Sequence, residues 1–375
     1  MLSNRSTSLA STITQLDLQP LDLPLTEPFA IAGGAPSVAQ NVLVRVTLAD
    51  GTVGLGESAP FTAISGETQA STLLALHDVR ARILGQDARA IRHISAILAE
   101  VCPDEPAARA GCEIAILDAL LRQHQLPMWS FFGGQTQTLL TDLTITARDT
   151  PHAVAATQAA LSRGFVTLKI KVGVGSVPAD VERVLAMHRV VQARGHAASG
   201  VQFVLDANGG YTAEQALALV AELTAAGVPL ALFEQPVARE DRLGLLEVAR
   251  SSSVPVCADE SARTAADVLW LVQSRVVRAV NLKLMKSGLF ETLAMYEIAR
   301  SAGLQLMIGG MVEGPVAMAT AAHLAAGLGE FSFVDLDTAL FVASHPFQAG
   351  GLQRDAHWDL QAVHSGHGVS LTSET

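Results

Sequence analysis

Residues 201–236 read VQFVLDANGGYTAEQALALVAELTAAGVPLALFEQP. Phe203–Asp206 is a short apolar run that predicts a buried strand. Ala213–Ala225 carries apolar residues at helical spacing, with Thr212 placed to cap its start and Gly227 just past its end. Ala231–Glu234 is a second apolar strand. Strand, helix and strand in so short a span form one β–α–β unit with parallel strands. Each of its strands ends on a carboxylate, Asp206 and Glu234.

The same unit recurs on both sides. Strands are expected at Asp142–Thr146, Val166–Lys171, Val256–Asp259, Ala279–Lys283, Gln305–Ile308 and Phe331–Asp335, with helical stretches between them. This predicts an α/β fold: a TIM-like (β/α)7β barrel over residues 135–340. A doubly wound open sheet would want a glycine-rich phosphate loop after its first strand, and Thr141–Thr150 contains no Gly. Upstream the rhythm differs. Asn41–Thr47 alternates and is β-branched, Ala49-Asp50-Gly51-Thr52 signals a turn, and Val53–Glu57 resumes the strand. From Glu67 to Gln125 the pattern is helical, and Pro106–Leu121 has Pro near its start. An α+β capping domain is therefore expected over residues 1–134, ending near Phe132-Gly133-Gly134, with the tail 341–375 packing back on it.

Composition narrows the function. Of 375 residues 49% are hydrophobic and 16% charged, which suits a large packed core. The net charge of −11 and pI near 5.4 argue against nucleic acid, since phosphate contacts need clustered Lys and Arg. Cys102, Cys112 and Cys257 form no CxxC pair, so a reducing cytoplasm is the expected setting. Met1–Thr14 is rich in Ser and Thr without an apolar run, so no secretory leader is expected. No apolar stretch reaches the ~18 residues of a membrane span.

Barrel enzymes place their chemistry at the C-terminal ends of the strands. There lie Lys169 and Lys171, Asp206, Glu234, Asp259, Lys283, and Asp335 with Asp337, each at an equivalent place in its repeat. A single strand-end acid is ordinarily a helix cap. Three acids in phase on successive strands repel one another unless a hard cation sits between them. Oxygen ligands without Cys or His favour Mg2+, or Mn2+, over zinc. Lys169 and Lys171 share a strand face, so each disfavours the other's charge and one is expected to approach neutrality as a base. Lys283 comes from the far side of the barrel mouth. Two bases flanking one carbon suit inversion of a stereocentre, whereas one base and one spectator ammonium suit β-elimination or cycloisomerisation.

In these motifs the chain resembles the muconate-lactonizing branch of the enolase superfamily: KxK at Lys169 and Lys171, DAN at Asp206 and Asn208, FEQP at Glu234 and Gln235, ADES at Asp259 and Glu260, and NLKLMKSG at Lys283. The resemblance covers nearly the whole chain. It implies that Asp206, Glu234 and Asp259 ligate one Mg2+, for which Mn2+ can substitute. It implies that Lys171 and Lys283 are the acid/base pair, and that Lys169 orients the substrate carboxylate and tunes Lys171. Asn208, Gln235 and Glu260 are expected around the ligands.

VDLDTALFVASHPFQAGG, with Asp335 and Asp337, is similar to the dipeptide epimerases, in which such a pair holds a dipeptide's free ammonium. Two carboxylates on one strand face form a good ammonium receptor. FTAISGET (Phe61–Thr68) is similar to their cap loop, which implies that Ile64 faces substrate. Glu313 in GGMVEG follows strand seven and is expected near substrate or behind the metal ligands. Two departures stand out. Pro28–Ala35 lacks the basic residue that Ala-Glu epimerases carry there, so small or apolar side chains are expected in place of an acidic one. Leu289 follows Ser287-Gly288 where related sequences have a second Gly. The implied activity is epimerisation of a dipeptide's C-terminal residue by a cytoplasmic homo-oligomer with no membrane partner. Muconate cycloisomerase, o-succinylbenzoate synthase and N-acyl amino acid racemase are the alternatives on the same site, and none of their substrates offers an ammonium to Asp335 and Asp337. His323, in an apolar helical stretch, is expected to be a packed core residue.

Overall fold

The alternating, β-branched N-terminal segments form a three-stranded antiparallel sheet, β1 (Ile13–Pro24), β2 (Val38–Leu48) and β3 (Val53–Ser58). The computed structural model describes residues 10–31, 34–195, 200–349 and 351–372. Most of the Ser/Thr-rich start, and Ala32 and Gly33 of the Pro28–Ala35 loop, lie outside the described residues. Three helices cover the sheet: α1 (Gln69–Ile83), α2 (Ile91–Val101) and α3 (Pro106–Gln123). Thr68 caps α1 through a reciprocal box with Ser71. Helix α3 lies against β3 at a spacing only glycine allows. A Cβ at Gly54 would strike the Ala115 carbonyl, and one at Gly56 the Gly111 carbonyl.

The barrel follows. Its strands are β4 (Leu143–Ile145), β5 (Thr167–Lys171), β6 (Gln202–Asp206), β7 (Leu230–Glu234), β8 (Val256–Ala258), β9 (Ala279–Leu282), β10 (Gln305–Ile308) and β11 (Phe331–Val334). They pair in parallel, in chain order. A backbone hydrogen bond from Asp142 N–H to Val334 O, 2.9 Å, crosses the seam between the first and last strands. The intervening helices are α4 (Thr150–Ser162), α5 (Val177–Ala193), α6 (Ala213–Ala225), α7 (Arg242–Ser251), α8 (Ala265–Ser274), α9 (Leu289–Ser301) and α10 (Pro315–Leu328). Thr212 does cap α6, in a box with Gln215. Buried Val204, Leu232, Cys257, Ala279 and Met307 form a small apolar cluster. Each lies two residues, or four for Ala279, before a strand-end polar residue or Gly309, so this cluster is the floor beneath the polar mouth.

Cap and barrel are joined by buried carboxylates that cap barrel helices from the cap side. Glu57 at the end of β3 accepts from Gly314 N–H (2.7 Å) and Ala317 N–H (3.1 Å) at the start of α10. Glu113 on α3 accepts from Leu289 N–H (2.6 Å) at the start of α9, so the departure at Leu289 is absorbed in this joint. The tail touches both domains. His357–Asp359 pairs with Thr138–Leu140 on one side and with Gln353–Arg354 on the other. His367 donates its N–H to Asp118 of α3, and its ring nitrogen lies 3.0 Å from Leu55 O. His323 is fully buried, accepting from Trp129 N–H at 3.0 Å. Among the described residues no helix is long and apolar enough to cross a membrane.

Candidate active site

The strand periodicity carries directly into the site. Lys171, Asp206 and Glu234 are partners in register across β5, β6 and β7, so their side chains lie side by side on the inner face. Asp259, Lys283 and Asp335 stand one residue past the ends of β8, β9 and β11. All of these residues are at least nine-tenths buried. Lys169 Nζ lies 3.0 Å from Asp206 Oδ2, 2.8 Å from Glu234 Oε2 and 2.6 Å from Asp335 Oδ2. Lys171 Nζ donates to Asp206 (2.6 Å) and Asn208 (3.1 Å). Lys283 lies 2.7 Å from Asp259 Oδ2.

The supporting polar residues hold the acids in place. Gln235 accepts from Asp259 N–H and Ser261 N–H and donates to Val237 O and Ser261 Oγ. Asn208 donates to Glu260. Both Asn208 (φ 41°) and Gln235 (φ 35°) occupy the left-handed region, a strain found where neighbouring structure over-determines a site. Two further members went unassigned in the sequence, though both lie in the NLKLMKSG motif. Asn281 donates to Glu234 Oε1 at 2.6 Å, and Lys286 donates to Asp259 Oδ1 at 2.6 Å and to Asn281 O. Asn281 had a legible signal, since it precedes Lys283 by two residues and shares its face. Lys286 had none, because it reaches back from a one-turn helix (Leu284–Ser287).

Charge states follow from this packing. The expectation that repulsion would neutralise one lysine of the KxK pair does not hold for Lys169. Burial lowers its basicity, but Asp206, Asp335, Glu234 and Asp142 outweigh that and hold it well above the ordinary range. Lys283 is likewise raised, burial being outweighed chiefly by Asp259. Burial opposes ionisation of Asp206 and Asp259, yet the surrounding lysines hold both below the usual carboxylate range. Glu234 is pushed up to about 8 by burial and by Asp206.

Asp206, Glu234 and Asp259 suit a hard divalent cation: three buried oxygen donors on adjacent strands. Glu234 Oε2 and Asp259 Oδ2 each have an ammonium nearby but no well-directed hydrogen bond, which leaves a lone pair for a metal. Above them opens a small, partly enclosed cavity. Lys169, Lys171, Lys283, Asn208 and Asp335 line it from the barrel, and Ile64 with Phe29, Ile31 and Phe61 from the cap. Met311 and Val312 complete the apolar wall. Asp337 and Glu313 do not line it. Asp337 accepts from Thr144 N–H at 2.5 Å. Glu313 turns back to accept from Met311 N–H at 2.7 Å, and burial pushes it up to about 8.

Residues 15–133 match the mandelate racemase/muconate lactonizing enzyme N-terminal domain, and residues 152–375 the enolase C-terminal domain-like family. The chain is 47% identical over 363 residues to an aromatic dipeptide epimerase of Herpetosiphon aurantiacus, covering 97% of this chain and 100% of that one. The solved structure of a mandelate racemase/muconate lactonizing protein from the same organism superimposes with a TM-score of 0.92 at 48% identity, covering 98% of this chain and 100% of that one. A dipeptide epimerase from Enterococcus faecalis, solved with Mg and L-Leu-L-Tyr, superimposes with a TM-score of 0.88 at 32% identity, covering 96% of this chain and 99% of that one. Two matched domains spanning most of the sequence, and relatives covered end to end, mean that this chain belongs to the enolase superfamily, in its mandelate racemase/muconate lactonizing group.

Proposed function

We propose that this protein is a magnesium-dependent dipeptide epimerase that inverts the α-carbon of the C-terminal residue by a two-base mechanism. The carrying observation is that Lys171 and Lys283 stand at the ends of β5 and β9, four strands apart in a ring of eight, and both line one cavity. A planar deprotonated carbon between them meets a proton donor on each face. The lysine that starts neutral takes the α-proton from one face. The other, starting as an ammonium, returns a proton to the opposite face, so the reaction balances with one hydrogen exchanged.

A divalent cation at Asp206, Glu234 and Asp259 would, when bound, offset the negative charge that builds on the substrate carboxylate. One ion per chain, with Mn2+ as the alternative, fits this donor set. Such an ion also competes with the ammonium groups for those carboxylates, which weakens the field that holds Lys169 and Lys283 protonated. In this reading Lys169 orients the substrate carboxylate and Asp335 receives the dipeptide ammonium, with Asp337 behind it. Phe29, Ile31, Phe61, Ile64, Met311 and Val312 form an apolar wall, and among the described residues the cap side of the cavity carries no cation. That supports apolar or aromatic side chains in the substrate and disfavours an acidic second residue. The three cysteines are buried and free, which supports a reducing compartment, and we retain a homo-oligomer as the expected assembly.

The test is an isotope screen. The protein with Mg2+ is incubated in D2O with pooled L,L-dipeptides and read by mass spectrometry. A one-dalton gain on apolar dipeptides is expected. Silence across a broad library with magnesium bound would sink the proposal, and a tenfold preference for Ala-Glu would overturn the specificity.

A further inference from the structure

Behind Asp335 lies a buried carboxyl group that neither the metal ligands nor the acid/base pair accounts for. Asp142, just before β4, brings a carboxylate oxygen within 4.8 Å of oxygens from Asp335 and Asp337. The three residues are 2%, 4% and 0% exposed. Asp142 Oδ1 and Asp337 Oδ1 have no hydrogen-bond partner. Among the described residues the one cation paired with the group is Lys169, at 2.6 Å from Asp335 Oδ2, and its ammonium is shared with Asp206 and Glu234. Three buried carboxylates with a third of one ammonium's attention are costly unless another cation arrives. Burial and the charges of Asp335 and Asp337 accordingly favour the protonated form of Asp142 while Lys169 is the cation at hand, and a ligand ammonium arriving at Asp335 favours its ionised, negatively charged form.

The cluster is built, not incidental. Asp142 N–H is bonded to Val334 O, on the strand that ends at Asp335. Thr144, two residues on, donates its N–H to Asp337. Thr144 and Asp335 both line the cavity, so the cluster opens to substrate through Asp335. A primary ammonium suits it better than a second divalent ion. The Lys169 ammonium already rests on Asp335 and repels a double charge more strongly, while an ammonium presents directed N–H donors to the carboxylate rim.

We propose that Asp142 is a positioning residue of the ammonium receptor: standing behind Asp335, it orients that carboxylate and adds the negative charge that selects a free amino terminus. This rests on the dipeptide reading above, and it adds a residue that the DxD motif does not contain. The side chain acts through Asp335 and does not touch the reacting carbon.

The test compares L-Ala-L-Phe with N-propionyl-L-Phe, which differs only in lacking the ammonium. Asp142→Asn keeps shape and removes charge. It should raise the KM for Ala-Phe about tenfold, as for losing part of a charge-assisted contact, with kcat within a few-fold. The inhibition constant of propionyl-Phe should stay level or fall, since less negative charge is left unpaired. A parallel rise in both constants, or no change in either, overturns the proposal. Asp142→Ser is the second variant, with the same expectation. If neither variant folds, Asp142 is a structural residue and the proposal is likewise overturned. Should the wild-type protein exchange no dipeptide, the reaction reading fails on its own. The same two ligands compared by calorimetry would still test Asp142.

Discussion

Lys283→Ala separates two-base inversion from general damage. Lys283 is 4% exposed and its ammonium lies 2.7 Å from Asp259 Oδ2. Deleting it does not strand Asp259, because Lys286 remains 2.6 Å from the other oxygen. The stability cost is therefore that of truncating a buried stem, roughly 2–4 kcal/mol by analogy with buried Met→Ala. That is tolerable against the ~5–15 kcal/mol of a folded domain. The catalytic cost is larger. A positioned acid or base contributes about 10²–10⁴-fold, or about 3–5 kcal/mol of barrier. Chiral chromatography of an apolar dipeptide should show epimerisation falling by that factor. Lys171 still serves its own face, so in D2O one C-terminal enantiomer should keep exchanging its α-proton while the other stops. Epimerisation within tenfold of wild type, or equal exchange of both enantiomers, would refute the two-base argument.

Removing tightly bound metal with a chelator should abolish turnover, and titrating Mg2+ back should restore it and raise Tm as a ligand of the folded state does. Lys286→Met strips Asp259 and the Asn281 carbonyl of a buried partner; denaturant melts should show a loss of about 3–5 kcal/mol. Gly56→Ala drives a methyl into the Gly111 carbonyl of α3, so the cap should lose at least about 1–3 kcal/mol, read as a lower Tm. His323 is held down to about 3 by burial, below its unfolded value of about 6.5. Its neutral form therefore contributes stability that is present above pH ~6.5 and lost toward pH ~3, by up to about 1.4 kcal/mol per pH unit. The Tm of His323→Gln should accordingly fall less steeply on acidification than that of wild type.

The barrel and its reactive residues were legible in the sequence because both are local. A strand's two-residue period and a βα repeat determine which side chains reach the mouth, so Lys169, Lys171, Asp206, Glu234, Asp259, Lys283 and Asp335 could be named from spacing alone. Strand limits differed by a residue or two, since the end residues turn into loops. What the sequence left open depends on elements distant in the chain. Glu313 and Asp337 bear the right chemistry, yet backbone N–H groups of Met311 and Thr144 draw them off the cavity wall. Asp142 reads as the start of an ordinary strand until the barrel closes and sets it beside Asp335. Glu57 and Glu113 look like routine cap acids, and only docking onto α10 and α9 gives them helix ends to satisfy. Which lysine of the KxK pair stays charged was open for the same reason: the lysine two residues away was visible, but the four carboxylates that hold Lys169 protonated sit on or beside four other strands. Periodicity is written residue by residue along the chain, whereas burial and electrostatic fields sum over whatever the fold brings within a few ångströms.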